Sequence, residues 1–559
     1  MPYLYYTFPR TEMLRRSHSP RGWRLLPPEW YSTTVSARRQ TVIAAQRERE
    51  REGSVPDIAE PSVHAAPPSL ATYDEIAFER DEPDRPREAC GVFGVYAPGE
   101  DVARVTYFGL YALQHRGQES AGIATGDGDR LYAHRQMGLV AQAFTEDDLA
   151  RLPGHLAIGH TRYSTTGSSR LENAQPFSMQ SDLGPFALGH NGNLTNTLTL
   201  RDRVLARGGA LATTSDSEII AWLIAHAPGV TYVDKVRAVM PQLQGAYSLV
   251  LITPETILGV RDRFGVRPLT LGRLQEHWVI ASESCAIETV GGEAVRDVRP
   301  GEIVALTGDG PDGMKSYTGQ KSESSAACLF EYIYFARPDS CISDRSLYLA
   351  RQRMGAQLAV EFPVAADLVI GVPDSATPAA AGYANARGLP YADGLIKNRY
   401  IGRTFIQPDQ RLRQLGVKMK FNALGAVLAG KRVVMIDDSV VRGTTVRPLV
   451  RLLREAGAAE VHLGVTSPPF RWPCYLGLDV ARRDELIAAR LSSVGAIADE
   501  IGVDSLRYLS LDGLIAAIDL PAETFCSGCF TGTYPVPVQM ELADKLSLER
   551  ERAGSAALS

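Results

Sequence analysis

The chain has 559 residues, of which 45% are hydrophobic and 22% are charged, and its formal net charge at pH 7 is -5. This length predicts at least two domains, and the small charge argues against nucleic acid or an acidic membrane as a partner. No run of about 18 apolar residues would span a bilayer. The seven cysteines are too few for a disulfide scaffold, which favours a reducing, cytoplasmic location.

The first part of the chain, residues 1–89, differs in composition from the remainder. Stretches such as "RRSHSPRGWRLLPPEW" and "QREREREGS" are rich in arginine or proline and have no periodic apolar pattern. This composition predicts a disordered N-terminal extension. A propeptide, an organellar transit peptide and a wrongly assigned start codon would each leave such a segment, and these explanations stay open at this point.

An ordered pattern begins at Cys90. Short apolar runs interrupted by glycine, namely "CGVFGVYAP", "HLAIGHTRYST", "FALGHNGNL" and "AYSLVLITPETILGVRD", predict strands. Between them "SEIIAWLIAHA" has the period of a helix. The combination predicts an α+β sandwich.

Cys90 raises the question of how a thiol could be activated here. A thiol attacks a carboxamide as the thiolate, and a free pKa of about 8.5 leaves little thiolate at neutral pH. No histidine follows at a protease-like spacing, but a cysteine that begins a chain carries its own base, the α-amine, with a pKa of about 7.7–8. A catalytic Cys90 therefore predicts cleavage between Ala89 and Cys90. Taken alone, an inert buried strand cysteine is the simpler interpretation.

Three further stretches favour the catalytic interpretation. Arg162 in "GHTRYSTTG" could hold a substrate carboxylate, although a surface ion pair would also explain it. Asn191 and Gly192 in "GHNGNLTN" combine an amide with an unobstructed backbone N–H, as an oxyanion hole requires, although the pair is also a common turn. Asp216 in "TTSDSE" could bind a substrate ammonium or cap the helix that begins near Glu218.

Residues 90–306, which include "LQHRGQESAGI", resemble the glutamine amidotransferase domain of the N-terminal-nucleophile class, an αββα sandwich. The resemblance implies that Cys90 is the nucleophile. It also implies that Arg162 and Asp216 bind glutamine. Asn191 and Gly192 are implied to stabilise the oxyanion. The sequence departs from the family at Arg263 in "RDRFGVRPL", where proline is usual.

The second half contains "KRVVMIDDSVVRGTTVRPLVRLLREAGA". A β-branched apolar run ends in Asp437 and Asp438, and a small polar loop then leads into an amphipathic helix that Gly457 closes. Strand, loop and helix in this order place backbone N–H groups and the positive helix end around a phosphate. The two carboxylates could reach ribose hydroxyls or Mg²⁺. A generic α/β strand end is the alternative.

This stretch resembles the phosphoribosyl pyrophosphate signature of type I phosphoribosyltransferases. The resemblance implies that residues 439–445 cradle the 5′-phosphate, and the candidates are Ser439, Arg442, Gly443, Thr444 and Thr445. Upstream, "DLVIGVPDSATPAA" is another strand that runs into a small-residue loop and a helix. There the resemblance assigns Ser375 to the Mg²⁺ and pyrophosphate site, together with Asp437 and Asp438.

A basic segment, "KNRYIGRTFIQPDQRLRQLGVKMKFN", lies between the two phosphoribosyl stretches. It is dense in lysine and arginine and has no compact apolar period. One interpretation is a solvated basic face. The other is a mobile loop that folds over pyrophosphate and excludes water from ammonia transfer.

With both halves matched, residues 88–534 resemble the amidophosphoribosyltransferase family, and "CLFEYIYFARPDS" at the junction is itself a family stretch. The resemblance implies a glutaminase domain at 90–320, a phosphoribosyltransferase α/β domain at 321–535 and a tail at 536–559. The implied reaction, the first committed step of purine synthesis, makes 5-phosphoribosylamine, glutamate and pyrophosphate from phosphoribosyl pyrophosphate, glutamine and water. It also implies one Mg²⁺ per subunit, internal ammonia transfer, purine nucleotide inhibitors and a homo-oligomer, often a tetramer.

Four cysteines form a further candidate site. By spacing alone, the C-x-x-C pair in "TFCSGCFTG" slightly favours zinc or a redox pair, and a [4Fe–4S] cluster is the alternative. One branch of the resembled family carries a structural [4Fe–4S] cluster on cysteines in these contexts, which implies the ligands Cys328, Cys474, Cys526 and Cys529. Cys285 and Cys341 fall outside this set and are interpreted as ordinary thiols.

Other functions would leave different signatures. Chains like glucosamine-phosphate synthase would lack the Asp437–Asp438 loop, and chains like asparagine synthetase would need a Ser-Gly-Gly nucleotide loop, which is not found. A non-catalytic sensor of phosphoribosyl pyrophosphate would not need Cys90, Arg162 and the other glutaminase residues together. Glutaminase activity separates the enzyme from the sensor.

Overall fold

A computed structural model of the protein describes residues 90–163, 168–398, 420–478 and 482–538. Within these residues, no helix combines the length and the apolar character needed to cross a membrane. We refer to residues 90–320 as the N-terminal half and to residues 321–538 as the C-terminal half.

The N-terminal half is built on two antiparallel sheets. Its strands are β1 (Gly91–Tyr96), β2 (Ser120–Gly126), β3 (Leu131–Met137), β4 (Leu156–Arg162), β5 (Phe177–Ser181), β6 (Gly184–Leu194), β7 (Gly245–Ile252), β8 (Ile257–Arg261), β9 (Thr270–Leu274), β10 (His277–Ala281), β11 (Glu293–Asp297), β12 (Glu302–Leu306) and β13 (Met314–Thr318). One sheet has the order β11-β9-β10-β1-β4-β2-β3, and the other has the order β13-β12-β8-β7-β6-β5.

The two sheets pack face to face between layers of helices. The helices are α1 (Val102–Ala112), α2 (Val140–Ala143), α3 (Glu146–Ala150), α4 (Thr197–Ala206), α5 (Asp216–Ala225), α6 (Tyr232–Val239) and α7 (Ser284–Thr289). Strand β1 is buried on both faces: Val92 packs against the second sheet, and Phe93 packs on the side of α1 and α7, as the period of two requires. The second sheet packs its outer face against α4, α5 and α6. The predicted αββα sandwich is confirmed.

The C-terminal half is an α/β unit. Its strands are β14 (Ala327–Cys328), β15 (Cys341–Ile342), β16 (Arg345–Ser346), β17 (Leu368–Gly371), β18 (Leu395–Lys397), β19 (Phe421–Ala423), β20 (Arg432–Asp437), β21 (Glu460–Val465), β22 (Ser505–Tyr508) and β23 (Phe525–Cys526). Its helices are α8 (Leu347–Glu361), α9 (Thr377–Arg387), α10 (Gly425–Leu428), α11 (Val446–Glu455), α12 (Ile487–Arg490), α13 (Val494–Ile501), α14 (Leu511–Ile518) and α15 (Gly528–Thr531).

A four-stranded parallel sheet organises this half, in the order β17-β20-β21-β22. Helices α8, α9 and α14 pack on one face of the sheet, and α11 and α13 pack on the other. Ligands of open parallel sheets bind at the carboxyl ends of the strands. The strand–loop–helix predicted from "KRVVMIDD" onward is confirmed as β20 and α11, and it places Asp437 and Asp438 at such an end.

One apolar cluster and several hydrogen bonds join the two halves. Ala246 and Val266 of the N-terminal half belong to the same apolar cluster as α8, α9 and α14. The Arg267 Nε donates to the carbonyl oxygen of Leu476 over 3.0 Å, and the Asn193 Nδ2 donates to that of Tyr475 over 3.0 Å. The two halves are therefore in direct contact.

Candidate active sites and cysteine cluster

A small pocket in the N-terminal half brings together four of the sequence-predicted residues. Cys90, Arg162, Gly192 and Asp216 all line it. Cys90 precedes β1, Arg162 ends β4, Gly192 lies in β6 and Asp216 begins α5. Cys90 thus meets residues 72 or more positions away in sequence because β1 lies between β10 and β4 at the centre of its sheet.

Cys90 is buried, with 6% of its surface exposed. Its Sγ donates to the carbonyl oxygen of Tyr163 over 3.2 Å. Burial raises the pKa of the thiol, although the hydrogen bond to Tyr163 and the charge of Arg162 act in the opposite direction. A Cys90 nucleophile therefore needs a nearby base.

Arg162 and Asp216 lie on the pocket wall as buried charges. The Arg162 Nη1 donates to the carbonyl oxygen of Ser168 over 3.1 Å and lies 3.4 Å from a carboxylate oxygen of Glu119. The interpretation of Arg162 as part of a surface ion pair is wrong, because only 2% of this residue is exposed. Residues 164–167, which continue this stretch, lie outside the described residues.

Asp216 does not cap the helix it begins. Helix α5 starts at Asp216, and the capping residue is Ser215, whose Oγ accepts from the Ser217 N–H. Burial alone would raise the pKa of the Asp216 carboxyl, but the neighbouring His190 and the bonds from the Leu194 N–H and Ser217 lower it overall. The carboxylate is therefore ionised at neutral pH and can attract a cation.

Gly192 occupies a backbone conformation that only glycine tolerates easily. Its φ is 152°, and a Cβ at this position would lie 2.0 Å from the carbonyl oxygen of Ala246. Neighbouring Asn191 does not line the pocket. Both polar atoms of its buried side chain lack a hydrogen-bond partner among the described residues, which leaves the amide available to a ligand group.

The pocket also contains residues that the sequence analysis did not single out. They are Tyr163, Gln175, His190, Ser215 and Ser217. His190 directly precedes the predicted Asn191, and Ser217 follows Asp216, so their positions next to predicted residues were the available signal. Gln175 could not be found this way because only the fold brings its loop to β6.

Arg116 lies in the family-matching segment "LQHRGQESAGI" but had no predicted role. Its side chain is 0% exposed, and its Nε donates to the carbonyl oxygen of Cys90 over 3.2 Å. The other guanidinium nitrogens donate to Glu283 over 2.6 Å and to Glu331 over 2.7 Å. Arg116 therefore ties the backbone of the candidate nucleophile to a carboxylate from the C-terminal half.

The second site lies at the carboxyl end of β20. Asp437 and Asp438 are 2% and 1% exposed. The Asp438 carboxylate accepts from the hydroxyl groups of Ser375 over 2.5 Å and Ser439 over 2.7 Å. Ser375 lies between β17 and α9, so two strand ends contribute to one polar cluster, as predicted. Two carboxylates and a hydroxyl are oxygen ligands of the kind Mg²⁺ prefers, with water and substrate phosphates completing its shell.

The loop after Asp438 leads to the N-terminus of α11. Arg442 is paired with Glu485 over 2.7 Å, and Gly443 has a φ of 82°. Thr444 is exposed, and Thr445 precedes α11 without making a side-chain capping bond. Such a helix start presents N–H groups to an anion. The predicted closing loop falls mostly on residues 399–419, which lie outside the described residues.

The four predicted ligand cysteines meet at the base of the C-terminal half. Cys328 and Cys526 are directly paired in the parallel strands β14 and β23. Burial raises the pKa of all four thiols, to about 11 for Cys328 and about 12 for Cys526, and the other three thiols raise that of Cys529 further. Cys474, Cys328 and Cys526 all act on the pKa of Cys529, which places these three residues in its neighbourhood.

Arg267 lies beside this group. It opposes the rise in the thiol pKa of Cys328 and Cys474, and its buried Nη2 has no partner among the described residues. A buried cation next to four thiols suits a set of anionic ligands. Within the described residues, no three His, Cys, Asp or Glu side chains are arranged to hold a metal ion.

The remaining cysteines have other surroundings. Cys285 is buried and lies 3.6 Å from a carboxylate oxygen of Glu283, and Cys341 is exposed. Neither has a role in the sites above.

Comparison with known proteins defines the class. A glutamine amidotransferase domain matches residues 160–289, and a phosphoribosyl transferase domain matches residues 349–467. The fold and the two sites thus define a glutamine amidotransferase joined to a phosphoribosyltransferase.

Relatives of full length specify the family. The chain is 53% identical to an amidophosphoribosyltransferase of Synechococcus elongatus, over 85% of this chain and 97% of that one. It is 43% identical to that of Mus musculus, over 81% and 98% of the two chains. A solved glutamine phosphoribosylpyrophosphate amidotransferase of B. subtilis, complexed with ADP and GMP, matches with a TM-score of 0.76 at 45% identity, over 81% and 98%. The chain belongs to the amidophosphoribosyltransferase family.

Proposed function

We propose that the protein transfers ammonia from glutamine to phosphoribosyl pyrophosphate, giving 5-phosphoribosylamine, glutamate and pyrophosphate as the first committed step of purine synthesis. The observation that carries the proposal is the presence in one chain of the Cys90 pocket and the Asp437–Asp438 strand end. Family membership over more than four fifths of the chain supports it.

In the proposed glutaminase half-reaction, Arg162 pairs with the carboxylate of glutamine and Asp216 with its ammonium. The α-amine of a processed Cys90 takes the thiol proton, and the thiolate adds to the carboxamide carbon. The Asn191 amide and the Gly192 N–H stabilise the oxyanion. Protonation of the amide nitrogen releases ammonia and leaves a thioester, which water then hydrolyses to glutamate and free Cys90.

In the proposed synthase half-reaction, the loop of residues 439–445 and the start of α11 bind the 5′-phosphate. Ammonia attacks C1 of the ribose as the bond to pyrophosphate breaks, so that the anomeric centre inverts and a proton leaves the new amine. Asp437, Asp438 and Ser375 would hold one Mg²⁺, which supplies neutralisation of the leaving group.

Separate assays of the two half-reactions test this proposal. We expect Cys90→Ser to abolish synthesis from glutamine while synthesis from added ammonia is retained, because only the first requires the thiol. Wild-type protein that makes no phosphoribosylamine from either nitrogen source would contradict the proposed function. A Cys90→Ser variant that still hydrolyses glutamine would contradict the assigned nucleophile.

We also propose that Cys328, Cys474, Cys526 and Cys529 hold a [4Fe–4S] cluster. The cluster would join β14 to β23 and to the Cys474 loop, and it would stabilise the fold without taking part in the reaction. After anaerobic purification we expect iron, inorganic sulfide and visible absorption in the wild type and their loss in Cys526→Ser. The exposed Cys341→Ser is the matched control, and equal iron content in the two variants would contradict the proposal.

Regulation and assembly are proposed from the family. The B. subtilis relative is complexed with ADP and GMP, and we propose that purine nucleotides inhibit this enzyme and that it forms a homotetramer. Initial rates at increasing concentrations of each nucleotide test the first proposal. Light scattering of the eluted protein tests the second, and a monomer would contradict it.

A further inference from the structure

His190 lies in the glutamine pocket but has no part in the mechanism described above. It is 2% exposed and lines the pocket together with Cys90, Gly192 and Asp216. Its Nε2 is buried and has no hydrogen-bond partner among the described residues. A buried polar atom without a hydrogen-bond partner destabilises the folded protein. A ligand that forms this hydrogen bond removes the destabilisation.

The backbone of His190 is held from both sides. Its N–H donates to the Oε1 of Gln175 over 2.8 Å, and its carbonyl oxygen accepts from the Nε2 of His160 over 2.9 Å. These two hydrogen bonds fix the backbone of His190, from which the imidazole ring extends. The Nε2 without a partner therefore belongs to a residue whose backbone is held in place by two hydrogen bonds.

The other ring nitrogen determines what Nε2 can offer. Nδ1 lies 3.0 Å from the Ser217 Oγ and 3.6 Å from the Asp216 Oδ1. The Ser217 Oγ already accepts from the Nε2 of Gln175 over 3.0 Å and donates to Asp216 over 3.3 Å. In the neutral imidazole, an adjacent carboxylate favours the tautomer with the proton on Nδ1, which leaves a lone pair on Nε2.

Nε2 also lies against the oxyanion side of the pocket. A Cβ placed on Gly192 would lie 2.9 Å from this atom. The imidazole thus stands between Asp216, which is assigned to the ammonium end of glutamine, and Gly192, which is assigned to its reacting carboxamide. An acceptor at this place faces the nitrogen groups of the substrate.

We propose that His190 is a further glutamine-binding residue whose Nε2 accepts an N–H hydrogen bond from the bound substrate. The inference depends on the proposed glutaminase function. It explains why the Nε2 of His190 is left without a partner in a pocket where Gln175 and Ser217 are bonded to each other.

Two substitutions distinguish Nε2 from Nδ1. An asparagine amide reaches the position of Nδ1 and can keep the Ser217 contact, whereas a glutamine amide reaches the position of Nε2. We expect His190→Asn to raise the KM for glutamine about tenfold, the loss typical of one buried hydrogen bond, and His190→Gln to raise it clearly less. Equal increases in the two variants, or the reverse order, would overturn the inference.

Two controls separate this result from misfolding and from failure of the proposed function. Ammonia-dependent synthesis should be unchanged in both variants, since that half-reaction bypasses the pocket. His277→Gln, which alters a buried histidine that does not line the pocket and that contacts Asp309, should leave the KM near the wild-type value. If wild-type protein lacks glutaminase activity, the proposed function itself fails.

Binding can also be measured without turnover. In Cys90→Ser protein, calorimetric titration with glutamine should give a Kd about tenfold weaker when His190→Asn is added. An unchanged Kd would overturn the inference even if the KM had risen.

Discussion

At the scale of single residues, the N-terminal site is governed by what burial does to charge. The pKa of the Cys90 thiol is raised by burial, while that of the Asp216 carboxyl is lowered by its neighbours. The nucleophile is therefore protonated and its substrate-binding carboxylate is ionised at neutral pH. Cleavage before Cys90 would create an α-amine that can accept the proton of the thiol and so form the thiolate.

The first prediction concerns the chain start. We expect active protein to begin at Cys90, because the α-amine is then free to accept the thiol proton. Intact mass and N-terminal sequencing after anaerobic purification measure this. Protein that retains residues before Cys90 and still turns over glutamine would show that another group is the base.

A companion measurement is alkylation of Cys90 in unprocessed protein. Since the pKa of its thiol is raised, the thiolate fraction at pH 7 is below that of a free cysteine and grows as pH rises. The rate of alkylation by iodoacetamide, followed by peptide mass spectrometry, should therefore increase from pH 7 to pH 9. A rate independent of pH in this range would contradict the raised pKa.

The second prediction concerns Gly192. We expect Gly192→Ala to lower glutamine-dependent activity by about 10²–10³, because the added Cβ would displace the backbone that carries the oxyanion-hole N–H. Gly184→Ala, whose Cβ would meet nothing within 4 Å, is the control for a glycine at positive φ in the same strand. Similar activities in the two variants would show that the position of the Gly192 backbone is not critical.

At the scale of elements, β20 and α11 show how a strand positions a polar site. Val433 to Ile436 of β20 are fully buried, so acidic residues are tolerated only where the strand leaves the sheet. Asp437 and Asp438 follow at that point, and the uncapped start of α11 faces the same edge. The element order thereby supplies carboxylates for a cation and N–H groups for a phosphate.

The third prediction tests this strand end. We expect Asp438→Asn to reduce synthesis from both glutamine and ammonia by about 10- to 100-fold and to raise the Mg²⁺ concentration required. Basal glutaminase activity should persist, since the Cys90 pocket is untouched. Asp484→Asn, which alters an exposed carboxylate paired with Arg482, is the control, and an equal loss there would remove the specific role of Asp438.

At the scale of the whole molecule, buried charges connect the halves. Glu331 accepts from Arg116 over 2.7 Å and from Arg267 over 3.2 Å. Arg116 also reaches the Cys90 carbonyl, and Arg267 reaches the Leu476 carbonyl, whose own N–H donates to the Cys474 Sγ over 3.4 Å. A continuous set of hydrogen bonds therefore extends from the nucleophile to the cysteine cluster.

The fourth prediction concerns the contribution of Glu331 to the free energy of unfolding. We expect Glu331→Gln to lower the free energy of unfolding by about 3–5 kcal/mol, because it leaves two buried guanidinium groups without their shared carboxylate. Glu500→Gln, which breaks the exposed pair with Arg447, should cost less than about 1 kcal/mol. Urea denaturation followed by tryptophan fluorescence compares the two, and equal midpoints would contradict the prediction.

The fifth prediction is the pH dependence of this stability. Burial alone would raise the pKa of Glu283, but His115 and Arg116 lower it overall. The unfolded state therefore binds more protons than the folded state, so the contribution is complete above the unfolded pKa of about 4.3 and is lost as pH falls below it. We expect the urea concentration at the unfolding midpoint to decrease as the pH is lowered below about 4.3. This decrease should be less steep in the Glu283→Gln variant. Identical slopes would exclude Glu283 as the cause.

The sequence by itself determined the elements that carry or adjoin Cys90, Asp216 and Asp437, because apolar periodicity is a local property of the chain, and the resemblance of its motifs to known families implied the class of both domains. Only the tertiary structure decided which distant residues meet. It placed His190 and Gln175 in the glutamine pocket, tied Arg116 to Glu331 across the halves, and identified Ser215 as the cap of α5. These contacts depend on sheet order and on the burial of charge, which no local pattern records.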